Sequence, residues 1–312
     1  MHRLLVACAV IAAAAGVLPA AAVAATVDGT GSVISVTASA GETNTITVAA
    51  SGLDVVVSDS ATSLTSSGSC TGSGASVTCS GVFTTLVASL DDGDDQLTIT
   101  GTPVTSTTVD LGAGNDTFTA AGTDDTVTDG DGNDTISTGA GSDVIDQGSA
   151  SNGSDTLDAG SGSDTIDYSA RSSAVTLTAD GFATDGESGE GDSLGSSNTT
   201  FEIWKGGSGD DTIGAGTTAS TMNGGAGNDT YRELVATAAD TVVDASGTDK
   251  VDYAGRSGAV TVTIDGVAND GSSSGAEGDN ISSSIEDITG GNGADTLRGD
   301  EDVNTILGNS GN

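Results

Sequence analysis

Asp116, Asp125, Asp134 and Asp143 stand nine residues apart, and two residues after each comes one apolar side chain, Phe118, Val127, Ile136 or Ile145. The stretch from Leu111 to Gln147 is four nonapeptides in phase, LGAGNDTFT, AAGTDDTVT, DGDGNDTIS and TGAGSDVID. Glycine crowds the positions before each Asp. Short carboxylates held in glycine-rich turns supply oxygen donors only, from the side chain and from the turn carbonyls that glycine leaves uncovered. Such a donor set suits Ca²⁺, which accepts flexible oxygen geometry. It suits Mg²⁺ less, because that ion demands a near-ideal octahedron, and Zn²⁺ less, because that ion prefers His and Cys.

The elements that position these carboxylates follow from the same period. Each nonapeptide is a turn followed by a three-residue strand with one apolar side chain. Strands that short carry too few hydrogen bonds to stand alone, so successive repeats must stack as a parallel coil. Two nonapeptides per coil turn place residues i and i+18 over one another. Asp116 then lies over Asp134, Asp125 over Asp143, and Asp211 over Asp229. Like charges at strand spacing, about 4.8 Å, repel unless a cation sits between them.

Residues 1–25 carry Arg3, an apolar run from Leu4 to Leu18 and the small tail Ala22-Val23-Ala24-Ala25. This pattern predicts a signal peptide cut after Ala24 or Ala25, and hence an exported, extracellular protein. A membrane anchor is the competing reading, but the apolar run is shorter than the ~20 residues of a span. Residues 26–90 alternate Ser/Thr with Val/Ile between glycines and predict a small β-rich region. It holds Cys70 and Cys79, which in an exported chain predict a disulfide, with a metal-binding thiol pair as the alternative.

Residues 91–168 form the first repeat block, opening with Asp95 and Leu97 and closing with Asp155 and Asp164 after a three-residue slip. Residues 169–205 interrupt the pattern, and the interruption recurs at 254–289. DYSARSSAVTLTADGFATDG, from Asp167, matches DYAGRSGAVTVTIDGVANDG, from Asp252. Between the two copies lies a second block, residues 206–253, with Asp211 and Asp229 and weaker copies at Asp240 and Asp249. A third block, residues 290–312, carries Asp295 and then Asn304 in the Asp place. Its last residues form the turn of one further repeat, which predicts a chain truncated within a repeat or a final turn that frays.

GGSGDDTIG, GGAGNDTYR and GGNGADTLR resemble the GGxGxDxUx nonapeptide of RTX, or haemolysin-type, calcium-binding proteins. The resemblance covers roughly residues 90–168, 206–253 and 290–312. It implies an all-β fold, a parallel β-roll or β-solenoid, with several Ca²⁺ ions between stacked turns. It assigns calcium ligation to Asp95, Asp116, Asp125, Asp134, Asp143, Asp155, Asp164, Asp211, Asp229 and Asp295. The core positions pass to Leu97, Phe118, Val127, Ile136, Ile145, Leu157, Ile166, Ile213, Tyr231 and Leu297. Asp125 and Asp155 follow fewer glycines than the pattern has, and Ser220 and Asn304 replace the Asp, so weaker sites are expected there.

Composition narrows the function. The chain has 7 basic and 45 acidic residues, a formal net charge of −38, which repels nucleic acid and anionic membranes. Only eight of the acids are Glu, as expected when carboxylates are held in turns rather than spread over a solvated surface. The one histidine, His2, lies in the signal segment, which removes Ser-His-Asp, Cys-His and HExxH chemistry. The expectation is a secreted calcium-binding repeat protein, not an enzyme, with calcium required for folding. It has no nucleic-acid partner, no membrane insertion, and an unidentified partner at the cell surface or in the matrix. The alternatives are a repeat region of a larger exoprotein or adhesin whose effector domain lies elsewhere, and a disordered Gly/Ser/Asp tract.

Overall fold

A computed structural model of the chain describes residues 23–195, 201–214, 216–232, 238–274 and 277–311. The expected signal segment lies outside the described residues except for its last three, where the first strand, Val23–Thr30, begins. Among the described residues every regular element is a strand, and most neighbours pair in parallel.

The repeats form the coil that their period demands. Strand Thr117–Thr119 lies parallel between Gln96–Thr100 and Thr135–Ser137, so Phe118 faces Leu97 on one side and Ile136 on the other. The alternate repeats build the opposite wall, where Val127 pairs with Ile145 and Ile145 with Ile166. The i/i+18 register holds at Phe118–Ile136 and Val127–Ile145. At Ile136–Leu157 and Ile145–Ile166 the partners are 21 residues apart, and the longer turns take up the slip without shifting the strands. One apolar residue per three-residue strand therefore points inward through most of the coil, while Ile306 in the last strand, Thr305–Leu307, is exposed. Nine of the ten expected core residues are fully buried and Leu297 is partly buried. Full burial of such a side chain stabilises by about 1.5–3 kcal/mol.

Residues 26–90, set apart by composition, are built into the same walls. Val33–Ala38 pairs in parallel with Thr85–Ser89, and Thr45–Ser51 with Gln96–Thr100. Antiparallel strands close this end, and Cys70 and Cys79, directly opposite one another, form a disulfide. The closed end covers sheet edges that would otherwise offer unpaired backbone groups.

The two interruptions have one architectural task. In the first, Ser193–Leu194 pairs with Thr156–Asp158 and ends the nine-stranded wall, while Val175–Thr178 opens a new seven-stranded wall. Ile203–Lys205 meanwhile continues the twelve-stranded wall beside Thr165–Asp167. In the second, Asn280–Ile281 ends the twelve-stranded wall, Val260–Thr263 opens a three-stranded one, and Asp287–Thr289 continues the seven-stranded one. Each copy closes one face of the coil, starts its replacement and passes the other face through.

The turns stack so closely that some admit only glycine. Gly112 has φ +94°, and a Cβ there would lie 1.8 Å from the carbonyl oxygen of Asp91 in the turn below. Gly112→Ala is expected to cost more than the ~1–3 kcal/mol of backbone strain alone, because the collision is with backbone that cannot swing aside. Thermal unfolding in saturating calcium should show a clear drop; an unchanged midpoint would mean the turns are not stacked in this way.

Candidate metal centre

The repeat carboxylates form columns, and each column is stitched by its own hydrogen bonds. In the first, the Asp95, Asp116 and Asp134 amides donate to Oδ1 of Asp116, Asp134 and Asp155 at 2.7, 2.7 and 2.8 Å. Asn44 N–H begins the column by donating to Asp95 Oδ1 at 2.6 Å. The second runs from Asp125 N–H to Asp143 at 2.8 Å, and from Asp143 N–H to Asp164 at 2.9 Å. The third runs from Asp211 N–H to Asp229 and from Asp229 N–H to Asp249, at 2.6 and 2.8 Å. A fourth begins where Val260 N–H donates to Asp295 Oδ1 at 2.9 Å. All ten carboxylates expected to be ligands thus belong to columns.

One oxygen of each carboxylate is spent on a column amide, or at Asp125 on the Thr123 hydroxyl, and with one exception the other is left bare. Oδ2 of Asp95, Asp116, Asp125, Asp134, Asp143, Asp155, Asp164, Asp229 and Asp295 is buried without a hydrogen-bond partner. Asp211 differs, because its Oδ2 accepts the Gly207 N–H at 2.7 Å. An uncompensated buried carboxylate oxygen is costly, and so regular a series of them calls for a cation. The bare oxygens lie against the turn backbone, where Gly224 and Gly290 leave room. A Cβ on either would come within 2.2 Å of Asp229 Oδ2 or 2.6 Å of Asp295 Oδ2.

The electrostatics agree. Burial, reinforced by neighbouring carboxylates, raises the acids of Asp116, Asp125 and Asp164 to about 6 and of Asp134 to about 7. Asp95, Asp143, Asp155, Asp211 and Asp229 are pushed upward for the same first reason. Oxygen-only donors with unmatched negative charge fit a hard cation and offer nothing to a soft one.

Several column members escape the sequence pattern. Asp249, a weak copy by sequence, has the same bare, buried Oδ2 as the strongest members. Glu202 and Glu286 stand in for Asp where the interruptions pass a wall through, accepting the Asp164 and Asp249 amides at 2.9 and 2.8 Å. Glu202-x-Trp204 and Glu286-x-Ile288 keep the acid-x-apolar spacing, which is the signal that could have found them. Ser220 keeps its place by donating its amide to Asp240 Oδ1 at 2.8 Å but offers no carboxylate. Asn304 accepts the Asp300 N–H within its own turn.

The columns also have built ends. Asp155 N–H donates to Asp192 Oδ1 at 3.0 Å, and the Tyr168 hydroxyl donates to Asp192 Oδ2 at 2.7 Å. The second interruption repeats the arrangement with Asp240 N–H on Asp279 Oδ1 and the Tyr253 hydroxyl on Oδ2, at 3.0 and 3.1 Å. Where no further turn stacks above to enclose an ion, a phenol takes the second oxygen. Buried Arg171–Glu190 and Arg256–Glu277 pairs, at 2.7 and 2.5 Å, brace these ends, with each guanidinium over the ring of its Tyr. Tyr168→Phe is expected to cost about 1–3 kcal/mol by leaving Asp192 Oδ2 unpaired. Urea unfolding in saturating calcium measures it, and a neutral result would show that the hydroxyl does not serve as the cap.

A model of the RTX calcium-binding nonapeptide repeat matches the chain in four copies, at residues 110–145, 145–170, 205–232 and 282–312. No curated protein matches it. The matched segments contain the Asp116–Asp164, Asp211–Asp229 and Asp295 turns, while Asp95 and Asp249 extend the same columns outside them. The four matched segments are RTX calcium-binding nonapeptide repeats, wound with their neighbours as a parallel β-roll, and Ca²⁺ is their cofactor.

Proposed function

We propose that Asp95, Asp116, Asp125, Asp134, Asp143, Asp155, Asp164, Asp211, Asp229 and Asp295 hold Ca²⁺ between successive turns of the coil. The observation that carries this reading is the repeated bare Oδ2, buried at the same place in turn after turn. Calcium is then a folding cofactor, and the protein a structural one, exported by the segment at residues 1–25 to the cell surface or matrix. Extracellular calcium modules bind at about 10⁻⁴–10⁻³ M, which suits that location. The absence of His beyond residue 2 and the use of the Asp residues in repeated register favour a binding protein over an enzyme. Among the described residues, no helix is long and apolar enough to cross a membrane.

Calorimetric titration of the chelator-treated full chain tests the reading. Several Ca²⁺ ions per chain should bind, and Mg²⁺ at the same concentration should not displace them. Equal binding of both metals, or none of either, would reject it.

A further inference from the structure

Five residues before the column Asp, the repeat places a residue without a carboxylate, as at Gly206, Gly224, Gly290, Leu90, Leu111, Ala120 and Thr138. Two turns depart from this: Asp129 precedes Asp134 by five residues, and Asp244 precedes Asp249 by five. Both departures put a third carboxylate into the column. Oxygens of Asp129, Asp134 and Asp155 all lie within 4.8 Å of one another, and so do oxygens of Asp229, Asp244 and Asp249.

The first group is built into the interior. Asp129, Asp134 and Asp155 are all buried, and the second oxygens of Asp134 and Asp155 have no protein partner. Asp129 is held in place by the Gly130 amide on Oδ1, at 2.9 Å, and by Gln147 Nε2 on Oδ2. Gln147 is itself fully buried, and its Oε1 is a further buried oxygen without a hydrogen-bond partner. Asp129 and Gln147 both line a cavity of about 170 Å³. In the second group the Tyr231 hydroxyl donates to Asp244 Oδ2, while Oδ2 of Asp229 and of Asp249 is bare.

We propose that Asp129 and Asp244 each convert an ordinary two-carboxylate turn into a three-carboxylate calcium site, so that these two sites fill before the others. The proposal rests on the reading that the column Asp residues bind Ca²⁺, and extends it to residues outside the nonapeptide pattern. Ligand charge count is a main determinant of calcium affinity, so each added carboxylate should tighten its site by roughly tenfold or more. Two sites in different walls, each beside weaker ones, would let ordering spread from both.

Calcium titration of the full chain by calorimetry, with Asp129→Asn, Asp244→Asn and the double variant, tests this. Asp131→Asn removes the same charge from an exposed position of the same turn and serves as the control. The wild type and the control should show two Ca²⁺ per chain bound roughly tenfold tighter than the rest. Each single variant should keep one, and the double variant none, with the weaker sites retained. If Asp129→Asn does not fold, loss of one tight site in Asp244→Asn carries the test. Tight sites that persist in both variants, or a wild type with only one affinity class, would overturn the proposal while leaving the column reading intact. A wild type that binds no calcium would overturn both.

Discussion

Stripped of calcium at pH 8, the protein should lose the strand signal of residues 91–312, and at pH 5 it should recover much of it. Column carboxylates stacked at about 4.8 Å repel by about 3.5 kcal/mol per neighbouring pair at an effective dielectric constant near 20. A few such pairs consume the whole 5–15 kcal/mol that holds a domain together. Calcium removes the repulsion; so does a proton. The folded-state acids of Asp116, Asp125, Asp164 and Asp134 lie at about 6 to 7, above the value of 3.8 for a free Asp, chiefly through burial. A group whose folded pKa is raised contributes stability that is complete below the unfolded value. It loses that contribution as pH climbs through the folded one. The chelated protein should therefore become less stable between about pH 4 and pH 7, and calcium should bind more tightly across that same window. Far-UV circular dichroism against pH, with and without chelator, reads both effects. A chelated protein more stable at pH 8 than at pH 5 would contradict the column electrostatics.

Asp134→Ala should cost about 3–4 kcal/mol in saturating calcium, and Asp295→Ala no more than about half of that. Asp134 is buried in mid-column. Its Oδ1 accepts the Asp116 amide and its own amide donates to Asp155. Alanine leaves the Asp116 amide buried and unpaired, at about 1–3 kcal/mol. With the ligand role proposed for it, the change also weakens calcium binding, by about 1.4 kcal/mol for the loss of one site held at ten times its Kd. Asp295 is half-buried at the start of its column and accepts the Val260 amide there. Urea unfolding in saturating calcium gives the comparison, and equal costs would show that column position does not matter.

Much of this molecule is legible in its sequence because the repeat is local. Nine residues make one turn and one strand, so a phase read from Asp116, Asp125, Asp134 and Asp143 already states which side chain enters the core and which carboxylate stacks. The parallel β-roll, its apolar core and the calcium chemistry of its turns all follow from that period. The three-residue slip before Asp155 obscures the count but not the structure, since the turn there absorbs it.

Composition misleads where it varies without a change of fold. Residues 26–90 contain few of the glycine-rich acidic turns and look like a separate region, yet Thr45–Ser51 hydrogen-bonds in register with Gln96–Thr100. Longer strands with Ser/Thr/Val alternation suit the same wall without calcium, so backbone pairing carries the architecture across the boundary. Asp249 reads as a weaker copy for a related reason: its turn, ASGTD, is poorer in glycine, but the amide of Asp229 still finds its carboxylate.

The sequence by itself determined the repeat, the direction of each side chain and the type of ion, because all three are properties of nine consecutive residues. Only the tertiary structure decided how the columns end and which oxygens remain bare. Tyr168 closes on Asp192 across 24 residues, Asp129 meets Asp155 across 26, and each interruption exchanges one wall of the coil for another. These contacts depend on which turns stack on which, and the burial that raises the acids of column carboxylates such as Asp116, Asp134 and Asp229 exists only once they have stacked.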